Sequence, residues 1–144
     1  MSNGRMYAPG LLAGCGLLLI GLGAYFVFLR PPLLPEDLRA IGATADQLTA
    51  RAPGLLVWLR RVFWVLGGYI ASTSVLTLYV ALAAVRGRAR GAAGIATLAG
   101  LLSIGWMAAV NFMIDSDFKW LLLAFALLWG IAAWRCWREA RVPA

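Results

Sequence analysis

The stretch VFWVLGGYIASTSVLTLYVALAAV, residues 62–85, decides the fold, because it contains no charged side chain and lies between Arg61 and Arg86. A helix needs about 20 apolar residues to cross the hydrocarbon core of a bilayer. A membrane-spanning strand would instead alternate apolar and polar residues over about ten positions. A continuous apolar run of this length therefore predicts a transmembrane α-helix, whose backbone hydrogen bonds are satisfied within the segment.

Three further apolar runs of comparable character occur in the chain. They cover approximately residues 7–29, 92–114 and 118–134. With the run at 62–85 they predict an all-α integral membrane four-helix bundle. A chain of 144 residues is short enough for one domain, so we expect residues 1–144 to form a single four-span unit.

The composition excludes a water-soluble globule. Hydrophobic residues make up 62% of the chain and charged residues 13%, against roughly 45–50% and about 25% in soluble domains. A small domain could not bury this much apolar surface. The chain has no His, and its two Cys, Cys15 and Cys136, are at no metal-binding or redox spacing. We therefore expect no metal and no cofactor, and an enzyme is the least favoured class because no nucleophile–base pair is visible.

Basic residues determine the expected orientation. An even number of spans places both termini on one side, together with the short turn that contains Arg86, Arg88 and Arg90. Short Arg-rich loops stay in the cytoplasm, so we predict cytoplasmic N and C termini. The abundant Ala, Arg, Gly and Leu indicate a bacterial protein of the inner membrane. The net charge of +7 then faces anionic lipid, and we expect the lipid bilayer, not nucleic acid, as its partner.

The longest stretch between spans, residues 31–61, is expected on the outer side. Pro35 is typical of a helix start and Gly42 of a helix end, while Thr44 and Gln47 have the spacing of a capping box. Apolar residues recur every three or four positions, at Leu34, Leu38, Ile41, Ala45, Leu48 and Ala52. We predict two short amphipathic helices at the membrane interface. They serve either as a lid or docking platform, or merely as a connector.

Small residues on every span have the spacing that close helix packing uses. The helix-packing candidates are Gly10, Gly14, Gly21, Gly67, Gly68, Gly100, Gly105 and Gly130. These glycines either pack the four helices of the bundle together or form a contact with a second copy or a larger membrane complex. The Gly-rich first span is the preferred face for such an intermolecular contact. Trp106 and Trp129 lie deep in the spans, and we expect them to pack between helices.

Polar side chains in the second and third spans form a candidate ligand site. The residues are Tyr69, Ser72, Thr73, Ser103, Met107, Asn111 and Asp115. The last four follow at steps of four and so share one helix face. The alternative is ordinary packing, in which hydroxyls bond carbonyls of their own helix and Asn111 makes one interhelical hydrogen bond. No carboxylate lies mid-span, which argues against a proton- or ion-coupled pump.

The turn between the third and fourth spans, Asp115-Ser116-Asp117-Phe118-Lys119, contains two carboxylates. It is a fragment of a calcium-binding loop, but the required Gly and terminal Glu are missing. We instead expect Asp117 to cap the fourth helix and Lys119 to pair with Asp115.

The sequence leaves two functions open, which belong to different classes. The first is a non-catalytic accessory subunit or self-associating bundle. The second is a binder or carrier of a hydrophobic or amphipathic small molecule, using an outward-facing cavity between spans 2 and 3. A fully packed interior favours the first function, and a cavity of roughly 300 Å³ or more favours the second.

The predicted orientation is testable with reporter fusions. Fusions after Arg88 and after Ala144 are expected to report cytoplasm, and a fusion after Asp46 the periplasm, because the Arg-rich turn stays inside. A periplasmic signal at Arg88 would invert the orientation.

Overall fold

The computed structural model describes residues 7–87 and 89–141, and all regular structure in them is helical. The helices are α1 (Tyr7–Leu29), α2 (Pro35–Ile41), α3 (Ala45–Arg51), α4 (Leu55–Val85), α5 (Ala92–Met113) and α6 (Lys119–Ala140). Four of them, α1, α4, α5 and α6, are long and apolar enough to cross a membrane. The all-α class and the four candidate spans are thus confirmed, and they indicate a multi-pass membrane protein.

Two of the long helices extend beyond their apolar runs. Helix α4 begins at Leu55 and continues through Arg60 and Arg61 as one helix of 31 residues. Helix α6 continues past Trp134 to Ala140. Helical hydrogen bonding continues outside hydrocarbon, so an apolar run marks the part of a helix suited to lipid and not its full length.

The two short helices begin and end on the residues that the sequence indicates. Pro35 is the first residue of α2, and Gly42 ends it with a left-handed φ of 71°. Thr44 Oγ1 accepts a hydrogen bond from Gln47 N at 3.2 Å, and Gln47 Oε1 accepts one from Thr44 N at 3.0 Å. The predicted capping box is therefore present. Of the apolar stripe, Leu38 and Leu48 are half-buried and Ile41 is exposed.

The long helices form a bundle in the order α4, α1, α6, α5. Helix α1 packs against α4 and α6, and α6 also packs against α5. The backbone N–H of Ala8 donates to Glu139 Oε1 at 3.3 Å, which joins the start of α1 to the end of α6. We call this end the terminal end. The opposite end, which carries residues 30–54 and 114–118, is the distal end.

Glycines bring α1 and α4 into backbone contact. A Cβ atom on Gly67 would lie 2.8 Å from the carbonyl oxygen of Gly23, and one on Gly23 would lie 3.0 Å from the carbonyl oxygen of Gly67. Neither position has room for a side chain. This crossing fixes the distance between the two helices.

A tryptophan fixes α5 against α6. Trp129 is only 2% exposed, and its Nε1 donates to the carbonyl oxygen of Ala96 at 2.9 Å. A Cβ atom on Gly100 would lie 2.1 Å from Nε1, so the indole occupies the space that the glycine leaves open. The expected interhelical packing of Trp129 is confirmed. That of Trp106 is wrong, because its side chain is 63% exposed on another face of the bundle.

The remaining candidate glycines have no such neighbours among the described residues. Apart from the adjacent backbone of its own helix, no heavy atom lies within 4 Å of a Cβ built on Gly10, Gly14, Gly21, Gly68 or Gly130. The nearest atom to a Cβ on Gly105 is the carbonyl oxygen of Gly100 in the same helix, at 3.2 Å. A role for these residues in contacts with a second copy stays a prediction.

Replacing Gly100 tests the Trp129 contact. Gly100→Ala should lower the apparent melting temperature of the detergent-solubilised protein, because overpacking costs about 1–3 kcal/mol. Gly130→Ala, on a helix face without neighbours, is the matched control and should be neutral or stabilising, since alanine is favoured over glycine in helices by about 0.5–1 kcal/mol. Equal melting temperatures for the two variants would contradict the contact.

Candidate ligand cavity

A cavity of about 660 Å³ occupies the distal half of the bundle. Its walls come from α1, α4, α5 and the start of α6, and α2 contributes to its distal end. The deepest lining residues are buried and apolar, namely Leu19, Ile70, Ile104 and Leu122. The cavity therefore offers mainly a hydrophobic surface to an occupant.

The cavity opens sideways between α4 and α5. In the described residues these two helices meet mainly near the turn at Arg86, at the terminal end, and hardly touch toward the distal end. Lining side chains beside the gap are largely exposed: Tyr69 by 71%, Leu102 by 70% and Trp106 by 63%. The opening thus lies on the lateral surface of two candidate spans, the surface that lipid tails contact in a bilayer.

Buried polar side chains close the distal end. Glu36 of α2 is 3% exposed and Ser116 is 1% exposed. Ser116 Oγ donates to Glu36 Oε1 at 3.5 Å, and the same Oγ accepts a hydrogen bond from Phe118 N at 3.1 Å. Helix α2 is thereby attached to the turn before α6, and both residues line the cavity.

An ion pair lies beside this closure. Arg30 Nη2 contacts Asp37 Oδ2 at 2.9 Å, with the two side chains 9% and 19% exposed. The guanidinium carbon lies 3.5 Å from the centre of the Phe63 ring, and Arg30 Nη1 donates to the carbonyl oxygen of Pro31 at 3.1 Å. The charge of Arg30 is therefore neutralised inside the protein, and its guanidinium lies on an aromatic face.

Wide turns of helix shape the cavity walls. The last turn of α1, Tyr25–Leu29, and the segment Leu101–Gly105 of α5 are π-helical. In α1 the wide turn closes with a hydrogen bond from Arg30 N to the carbonyl oxygen of Tyr25 at 2.8 Å. Such turns are rare and occur frequently at functional sites. Both segments contribute residues to the lining.

The polar side chains in the cavity use their donors within their own helices. Thr73 Oγ1 donates to the carbonyl oxygen of Tyr69 at 2.9 Å, and Ser103 Oγ to that of Ala99 at 2.6 Å. These bonds confirm the expected pairing of hydroxyls with preceding carbonyls. Asn111 Nδ2 donates to the carbonyl oxygen of Met107 at 2.9 Å, so the expected interhelical hydrogen bond of Asn111 is wrong. The oxygen atoms of all three side chains keep acceptor capacity.

The structure brings five of the seven candidate ligand residues into the lining. These are Tyr69, Thr73, Ser103, Met107 and Asn111. Ser72 is exposed and outside the lining, because its helix position is about 100° from that of Thr73. Asp115 also lies outside the lining and is exposed.

Two ion pairs involve the carboxylates of the 115–119 turn. Lys119 donates to Asp115, as expected, and this hydrogen bond holds the pKa of the Asp115 carboxyl below its usual value. Asp117 Oδ1 instead pairs with Arg39 Nη2 at 2.6 Å. The expectation that Asp117 caps α6 is therefore wrong, since Ser116 bonds the N–H of Phe118 at that position.

Sequence reasoning missed the distal residues of the cavity. Arg30, Glu36 and Ser116 are not among the candidate ligand residues that the sequence indicates. These residues come together only because α2 folds back over the bundle, and no periodicity within one helix reveals that contact. The one local hint is the position of Glu36 among apolar neighbours, Leu33, Leu34 and Leu38.

Comparison with known proteins identifies no relative. No protein-family model, no curated protein and no solved structure matches this chain.

Two arginine variants compare the ion pairs of the distal end. Arg30→Ala should destabilise the protein by about 3 kcal/mol, because it leaves Asp37 as a poorly solvated, unpaired charge. Arg39→Ala, which removes an exposed pair, should cost less than about 1 kcal/mol. Chemical denaturation of the detergent-solubilised variants measures both, and equal losses would show that the Arg30 pair is effectively solvent-screened.

Proposed function

We propose that this protein binds or carries a membrane-resident amphipathic small molecule in the cavity between α4 and α5. The observation that carries the proposal is the lateral opening of a cavity of about 660 Å³. That volume lies within the range of about 300–1,000 Å³ typical of ligand sites. A fully packed interior, which would favour a purely structural bundle, is not what these helices form.

The distribution of chemistry along the cavity matches an amphiphile. Apolar side chains such as Leu19, Ile70 and Ile104 line its depth, while Glu36 and the Arg30–Asp37 pair lie at its distal end. An apolar tail would lie along the walls and a polar head would reach the distal groups. A few placed polar groups in an apolar pocket are the usual means of orienting a ligand.

The lateral opening provides a route from the bilayer. A hydrocarbon tail loses about 0.8 kcal/mol of favourable transfer free energy for each methylene exposed to water. Entry between α4 and α5 avoids that cost, because the tail moves from lipid directly to the cavity wall. A molecule already dissolved in the membrane is therefore the occupant that this geometry favours.

The proposed setting is the inner membrane of a bacterium, with both termini in the cytoplasm. The support is the turn after α4, with Arg86 and Arg90, at the terminal end. The distal end, with α2 and α3 at the membrane interface, then faces the periplasm and the cavity opens to the outer leaflet.

A second candidate, self-association or docking to a larger membrane complex, is favoured by one observation. Apart from the adjacent backbone of α1, no heavy atom of the described residues lies within 4 Å of where a Cβ of Gly10, Gly14 or Gly21 would lie. Such a narrow face fits a neighbouring helix. It is compatible with ligand binding, because it lies on α1 and the cavity opens between α4 and α5.

A pair of serine variants tests the binding function. Ser103→Phe should fill the cavity and reduce the amount of small molecule that co-purifies with the detergent-extracted protein, measured by mass spectrometry. Ser72→Phe, the matched control at an exposed position of α4 outside the lining, should leave it unchanged.

Unchanged co-purification with Ser103→Phe, together with unchanged co-purification with Ser103→Ala and Asn111→Leu, would exclude the cavity as a binding site.

A further inference from the structure

We propose that the occupant of the cavity is a long-chain amphiphile with an ammonium head, and that the Glu36 carboxylate is the counter-charge that selects it. The inference rests on the proposed binding function and assigns its ligand class. It is carried by the charges and hydrogen-bond donors at the distal end.

The charge of Arg30 is already compensated. Its guanidinium pairs with Asp37 at 2.9 Å, donates to the carbonyl oxygen of Pro31 and lies over the Phe63 ring. Asp37 Oδ2 also accepts a hydrogen bond from Leu34 N at 2.9 Å. This pair is electrically neutral and contributes no net charge to a ligand.

Glu36 has no such compensation among the described residues. Its side chain lines the cavity and is 3% exposed, and its hydrogen bond is the 3.5 Å contact with Ser116 Oγ. No Lys or Arg of residues 7–87 and 89–141 forms a salt bridge with it. Buried carboxylates need a cation or strong donors, and an ammonium group supplies both.

The neutral polar groups of the cavity favour the same kind of ligand. Thr73 and Ser103 each use their single hydroxyl hydrogen on a carbonyl of their own helix. Their oxygens, and that of Asn111, can still accept hydrogen bonds. These three side chains therefore offer acceptors more than donors, although Tyr69, the second amide hydrogen of Asn111 and the N–H groups that Arg30 does not use on Asp37 and Pro31 can still donate.

A carboxylate or phosphate head would be disfavoured at this site. It would meet the Glu36 carboxylate as a like charge in a poorly solvated setting. Arg30 lines the cavity, but its charge is already offset by Asp37, so it would attract an anionic head only weakly. An ammonium head, by contrast, would pair with Glu36, which forms no salt bridge with the Lys and Arg residues of 7–87 and 89–141.

The test compares three probes of equal chain length and different heads. Bromine-tailed undecylamine, undecanol and undecanoate are titrated into the protein in phosphatidylcholine nanodiscs. Bromine quenches nearby tryptophan, and the quenching lost in Trp106→Phe reports occupancy beside the cavity mouth. The amine should bind about tenfold more tightly than the carboxylate, the effect of one charge-assisted hydrogen bond.

Two variants test whether Glu36 causes the preference for the amine over the carboxylate. Glu36→Gln retains an acceptor for Ser116 and should reduce the amine-to-carboxylate ratio to within about twofold of unity. Asp46→Asn removes the same charge from an exposed position outside the lining and should leave the ratio unchanged. Equal effects of both variants would show that surface potential, not the cavity, selects the head.

The remaining outcomes separate this inference from the proposed function. Equal binding of all three probes would overturn the ammonium preference while leaving the cavity as a binding site. Tighter binding of undecanoate would assign the site to Arg30 and overturn the inference in the same way. Absence of any quenching that depends on Trp106 would overturn both proposals.

Discussion

The contact of Trp129 with Gly100 is the constraint on which the cavity depends. The indole fills the space beside the glycine and bonds the Ala96 carbonyl, so α5 is fixed to α6. Helix α4 is fixed to α1 by the equally close approach of Gly23 and Gly67. Each helix therefore has a tight partner other than its neighbour across the gap. The two pairs meet near the terminal end and separate toward the distal end, which leaves the lateral opening.

The two ion pairs of the distal end, Arg39–Asp117 and Arg30–Asp37, differ in how far they are buried. The Arg39–Asp117 pair is more than half exposed on both sides, and solvent screens most of its attraction. The Arg30–Asp37 pair is largely desolvated, so each partner needs the other. Both pairs attach the α2 region, but the buried pair also lines the cavity. The difference follows from the wide last turn of α1, after which Arg30 lies against Phe63.

The sequence predicts those features that depend on one helix at a time. Continuous apolar runs predict the four long helices, Thr44 and Gln47 predict a capping box, and hydroxyls four residues after a carbonyl predict the bonds of Thr73 and Ser103. The steps of four from Ser103 to Asn111 likewise place these residues on one face.

Contacts between different helices are harder to predict from the sequence. Trp106 and Trp129 look alike in sequence, yet only Trp129 has a glycine opposite it. Glu36 enters the site because α2 docks beside Ser116, and the composition of α2 does not reveal that docking.

If the cavity opens into lipid, as proposed, its polar end has to provide most of the selectivity among ligands. A tail that moves from the bilayer to apolar walls exchanges one hydrocarbon environment for another, so the hydrophobic effect contributes little to the choice among ligands. Shape restricts the tail only loosely, because the gap between α4 and α5 leaves one side open. Electrostatic interactions, by contrast, are strengthened where water is excluded. In the proposed binding site, Glu36 and the Arg30–Asp37 pair would therefore contribute more to discrimination among ligands than the larger apolar surface around them.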